Sequence, residues 1–135
     1  MKHTAGFESI LISEHRTAAI TYEYEILKTE SGARVSYYCG AWNFRKDTDR
    51  ESCLEQRVEG GTDLYEKIVE LTNTCRLRKW NGFSKAPRNV LDGGGFRFEM
   101  ITSDGEKLSG HGENACPKGY REFKESLRKI LSGEA

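Results

Sequence analysis

Polar and apolar residues alternate most regularly over residues 18–28 and 33–42. In the first stretch Ile20, Tyr22, Tyr24 and Ile26 fall on one side, and Thr21, Glu23 and Glu25 on the other. In the second, Val35, Tyr37, Cys39 and Ala41 share one face, and Tyr38 and Trp42 the opposite one. A period of two in β-branched and aromatic residues predicts strands. Glu30-Ser31-Gly32 between them predicts a tight turn, hence a hairpin. Residues 7–13 are apolar enough for a preceding strand, closed by the polar break Glu14-His15-Arg16. Residues 45–52 are densely charged and read as a solvated loop, and residues 53–58 predict a short fourth strand.

The period then changes. Leu64, Ile68, Leu71 and Cys75 recur at helical spacing after Gly60-Gly61, with Thr62 or Asp63 placed to cap the helix. Acids early and Arg76, Arg78 and Lys79 late suit the helix dipole, so the helix should end near residues 76–79. Residues 80–95 are irregular. Phe96, Phe98 and Met100 alternate with Arg97, Glu99 and Ile101, and Asp104-Gly105 predicts the turn of a second hairpin returning over 106–112. Pro117 suits the start of a last helix whose apolar stripe is Tyr120, Phe123, Leu127, Ile130 and Leu131. The order β-β-β-(β)-α-β-β-α predicts an α+β fold. It should be a two-layer sandwich, with a mainly antiparallel sheet of four to six strands and two helices on one face.

Length and charge narrow the class. The 135 residues make one domain, 1–135, able to bury a core without metal or disulfide support. Lys and Arg number 21, Asp and Glu 21, so the net charge is zero, which argues against bulk binding to nucleic acid or acidic membrane. No apolar run approaches the roughly 18 residues of a membrane-spanning helix, and the N-terminus does not read as a secretory signal. A cytoplasmic location is expected, with Cys39, Cys53, Cys75 and Cys116 as reduced thiols. They include no C-x-x-C pair, so neither a disulfide nor a structural zinc is expected.

An ordered set of short motifs runs through the second half. It comprises Trp80-Asn81-Gly82-Phe83, Val90-Leu91-Asp92-Gly93, Asp104-Gly105, and Gly112, Asn114, Pro117 and Tyr120. The set resembles a pattern in small bacterial proteins of unknown function. The resemblance implies a bacterial source and supports the α-β-β-α order. It implies no activity, cofactor or catalytic residue.

Four groups are candidates for chemistry. His111 and Cys116 lie where the second hairpin meets the last helix, and a thiol there could be activated by the helix and an imidazole base. The H-x4-C spacing matches no catalytic signature, and a buried packing thiol is the simpler reading. Asp47, Asp49 and Glu51 alternate as calcium ligands do, but lack the EF-hand glycine and glutamate. Residues 71–91 contain no acid, while Arg76, Arg78, Lys79, Lys85 and Arg88 interleave with Trp80 and Phe83. Such a segment suits an anionic ligand or a nucleic-acid strand. Finally, Tyr38 and Trp42 on a helix-free sheet face would suit protein contact. The reading is therefore a non-catalytic binding module for a protein or small ligand, with no cofactor, metal or membrane. Anion or nucleic-acid binding through 76–88 is the first alternative, and a thiol enzyme using Cys116 and His111 the second. Trp80 and Phe83 are both expected to be mostly buried between the first helix and the second hairpin.

Overall fold

A computed structural model describes residues 5–17, 20–41, 50–85, 95–113 and 115–133. Strands β1 (Phe7–Thr17), β2 (Ile20–Lys28), β3 (Ala33–Ala41) and β4 (Leu54–Gly60) form a meander. Helix α1 (Thr62–Thr74) and a short β5 (Ser84–Lys85) follow. Strands β6 (Gly95–Thr102) and β7 (Lys107–Glu113) form the second hairpin, and helix α2 (Tyr120–Ser132) follows. Among the described residues the sheet has seven strands in the order β4-β3-β2-β1-β6-β7-β5, all paired antiparallel except β5 with β7. The α+β sandwich is as expected, with strands above the expected four to six. Among the described residues no helix is long and apolar enough to cross a membrane.

Strand β1 joins the two hairpins at the centre of the sheet. Ile10 and Ile12 therefore face neighbours on both sides, Ile26 and Tyr24 on β2 and Met100 and Phe98 on β6. Ile10, Ile12, Ile26, Val35, Phe98, Met100 and Leu108 point to one face and merge there with Ile68 of α1 and Phe123, Leu127, Ile130 and Leu131 of α2 into a single core. Both helices thus cover the same face of the sheet, as their single apolar stripes require. Tyr65 fastens α1 to β1: its ring stacks on Phe7 at 4.7 Å, and its hydroxyl accepts from Phe7 N and donates to Phe7 O.

Three local expectations are revised. The polar stretch Glu14-His15-Arg16 does not end β1. Glu14 faces α2, where it accepts from the Tyr120 hydroxyl and from Lys124, and His15 Nδ1 lies 2.9 Å from Thr21 Oγ1 of β2. Helix α1 is capped by Gly61, with no side-chain cap, rather than by Thr62 or Asp63. Helix α2 begins at Tyr120 instead of Pro117, because Gly119 takes a left-handed conformation and breaks the run.

Along α2 the residues Tyr120, Lys124 and Arg128 form a second stripe beside the apolar one. It meets tyrosines on the helix-facing side of the sheet. Burial holds the Tyr24, Tyr37 and Tyr120 hydroxyls above the ordinary value of 10.0, and the Glu14 carboxylate adds to this at Tyr120. The folded chain therefore favours neutral phenols. Their contribution to stability is complete below the unfolded value and is lost as pH rises past it, because unfolded tyrosines ionise first. The urea midpoint is expected to fall between about pH 9 and about pH 11, and to fall less steeply in Tyr120→Phe.

Candidate functional site: a basic cleft between the helix ends

Helix α1 stops at Thr74, and Arg76 adopts a left-handed backbone, φ 56° and ψ 51°. The chain then makes one 3-10 turn, Leu77–Trp80. Three residues per turn bring side chains at i and i+3 into line. Leu77 and Trp80 point together into the core, where both are buried. Arg76 and Lys79, also three apart, share another side. Arg78 points elsewhere and pairs with Glu106 in the β6–β7 hairpin.

The turn is pressed against β7, which offers glycine on its inner face. A methyl group on Gly110 would lie 2.5 Å from Trp80 O, and one on Gly112 2.9 Å from the Phe83 ring. With this close approach Phe83 N donates to Trp80 O, His111 N donates to Phe83 O, and β5 pairs parallel to β7. From the other side the segment Pro117-Lys118-Gly119 closes in. A methyl group on Gly119 would lie 2.5 Å from Cys75 O.

These segments enclose a cleft of about 560 Å³. Its walls include Arg76, Lys79, Lys85 and Lys118, with Phe83 supplying aromatic surface in front of the buried Trp80, and Glu122 the one carboxylate among the described lining residues. The Lys85 ammonium lies 5.8 Å from the Phe83 ring centre. Among the described residues the side chains of Arg76, Lys79 and Lys118 make no hydrogen bond or ion pair. The first turn of α2, uncapped by any side chain, opens at the same place. Tyr120 N is taken by Pro117 O, but the dipole of the helix still favours negative charge at this end. Among the described residues the cleft therefore gathers four cations against one acid, in a chain of zero net charge.

The predicted basic segment is thus divided. Arg76, Lys79 and Lys85 converge, Arg78 does not, and Arg88 lies outside the described residues. Lys118 and Glu122 were not foreseen. The signal was Pro117-Lys118-Gly119 at the entry to α2, where a cation sits next to a helix N-terminus. Trp80 is buried at 1% exposure, but it packs against β6 and α2 as well as the turn. Phe83 is only half-buried, because one side of its ring faces the cleft.

The other candidates are placed differently. Tyr38 does lie on the helix-free face, but it is 1% exposed and offers no contact surface. The Arg50 guanidinium sits 4.1 Å over its ring. Its hydroxyl donates to Glu51 Oε2 and accepts from Arg57 Nη2, each at 2.8 Å. Arg50 also pairs with the buried Glu23 at 2.9 Å and with Glu25. Tyr38 is the platform of an ion-pair network that spans β2, β3 and β4. Trp42 lies outside the described residues, as do Asp47 and Asp49, and Glu51 is engaged by Arg57.

His111 lies between Gly110 and Gly112, which face the helices, so its ring projects to the opposite side of the sheet. There its Nε2 lies 3.3 Å from Ser84 Oγ. Cys116 belongs to the segment that crosses the helix-covered side near Tyr120. Cys116 is also exposed, in contrast to the expected packing thiol, and Cys75 is the buried one. All four cysteines are free thiols, and burial pushes the Cys75 thiol up. Among the described residues no cluster of His, Cys, Asp and Glu could hold a metal ion. In comparison with known proteins, the chain matches no family model and no curated sequence.

Proposed function

We propose that the protein is a non-catalytic binding module for a small anionic ligand, held in the cleft between the α1 end and the α2 start. The observation that carries this reading is the convergence of Arg76, Lys79, Lys85 and Lys118 on one concavity with a single opposing carboxylate. Like charges gathered at one place repel, and among the described residues of the lining only the Glu122 carboxylate opposes them. A bound anion relieves that repulsion. The volume of about 560 Å³ falls within the range of small-molecule sites. The half-buried Phe83 ring adds an apolar face, which suits a phosphate or carboxylate carried on a ring.

Nucleic acid fits less well. A polynucleotide needs cations in a continuous track, whereas Arg78 turns away and is neutralised by Glu106. Phenyl phosphate is a suitable probe, followed by calorimetry. The double variant Lys79→Ala/Lys118→Ala is expected to weaken its binding by about tenfold. Both side chains are exposed, so the melting temperature should hardly change. Raised salt should weaken binding to the parent chain more than to the variant. Equal affinity in the parent and the double variant would remove the cleft as the binding site.

A further inference from the structure

The helix-covered side of the sheet holds a second concavity, of about 340 Å³, lined by Glu14, Tyr22, Tyr24, Tyr37, Lys124 and Arg128. Its floor is a run of phenol rings on β2 and β3. Tyr22 and Tyr37 are nearly parallel, with 8° between their planes and 6.4 Å between centres, and Tyr24 lies 4.8 Å from Tyr37. Its roof is the polar stripe of α2. Within this stripe the charges are unequal. Lys124 is matched by Glu14 at 3.2 Å. Arg128 lies against the neutral Tyr24 hydroxyl, and among the described residues no carboxylate comes within ion-pair distance of it. The site therefore carries one net positive charge from a guanidinium whose planar fork suits a two-oxygen acceptor.

We propose that this tyrosine-floored pocket is a second binding site, specific for a small aromatic carboxylate. Flat phenol faces accept an aromatic ring by stacking or edge contact. Arg128 takes both carboxylate oxygens in parallel hydrogen bonds. Burial keeps the Tyr24 and Tyr37 hydroxyls protonated, so they serve as further donors to the same group, beside the Tyr22 phenol. A pocket built only to close the core would be lined by aliphatic side chains, as the neighbouring stretch at Ile26, Val35 and Leu127 is. The pocket is independent of the basic cleft, which lies at the other end of the α2 stripe and shares none of its lining residues.

The test uses benzoate as probe and benzamide as its neutral counterpart, with amide chemical shifts of the full chain as readout. Benzoate is expected to shift residues 22–24, 37 and 124–128 and to bind about tenfold or more tightly than benzamide. Arg128→Ala is expected to weaken benzoate by about tenfold to a hundredfold. Arg128→Lys should restore only part of the loss, since an ammonium cannot fork. Several results would overturn the proposal: equal binding of benzoate and benzamide, unchanged affinity in Arg128→Ala, no benzoate binding, or shifts confined to residues 76–85 and 117–122. Should Arg128→Ala fail to fold, the comparison of benzoate with benzamide on the parent chain decides.

Discussion

Trp80→Ala is expected to lower stability by about 3–5 kcal/mol, and the melting temperature by about 10–20 °C. Among the described residues Trp80 is the largest of the fully buried side chains. Four aromatic rings meet it edge to face: Phe96 and Phe98 from β6, and Tyr120 and Phe123 from α2, at 5.1 to 6.1 Å between centres. Its indole N–H donates to Lys118 O at 2.9 Å. Truncation removes the contacts and leaves that carbonyl without its donor. Against a total of roughly 5–15 kcal/mol the loss is severe. Trp80→Phe should fall between, keeping most of the ring contacts but not the hydrogen bond. Thermal melts followed by far-ultraviolet circular dichroism check the order. A melting temperature unchanged in Trp80→Ala would mean that the ring does not hold the turn, sheet and α2 together.

Gly119→Ala is expected to cost about 2–5 kcal/mol, far more than a glycine-to-alanine change usually does. Two effects add. Gly119 has φ 94°, where a side chain is strained by about 1–2 kcal/mol. A methyl group would also meet Cys75 O at 2.5 Å, and that oxygen is backbone at the end of α1, unable to swing aside. Either α2 or the α1 end must shift, typically at a cost of about 1–3 kcal/mol. Gly133 provides the internal control. Its φ is 81°, but nothing lies within 4 Å of an added methyl. Gly133→Ala therefore carries the strain without the collision and should cost about 1–2 kcal/mol at most. Urea midpoints of the two variants separate the effects. Similar losses would show that the close approach of the two helix ends is not a constraint.

Much of this architecture was readable from local pattern. The alternations around Tyr24, Tyr37 and Phe98 gave the core strands, and the stripes of Ile68 and of Phe123, Leu127 and Ile130 gave both helices and the face they cover. What escaped was set by residues distant in sequence. Glu14 extends β1 because Tyr120 and Lys124, more than a hundred positions later, supply its partners. The two-residue β5 exists because Gly110 and Gly112 let the chain after Trp80 lie against β7. Tyr38 is buried by Arg50 and Arg57, which alternation along β3 cannot reveal. For the cleft, the acid-free run from Leu71 to Leu91 marked the basic segment. The selection among its cations came from a 3-10 turn, and the fourth cation, Lys118, from the opposite wall.

Arg76, Lys79, Lys85 and Lys118 together are proposed to form an anion site. An amide chemical-shift titration of the full chain with phenyl phosphate tests it most directly. Saturable shifts are expected, grouped in residues 76–85 and 117–122 and abolished or strongly weakened in Lys79→Ala/Lys118→Ala. Shifts absent throughout, or grouped instead on the helix-free face around Tyr38, Arg50 and Arg57, would contradict it.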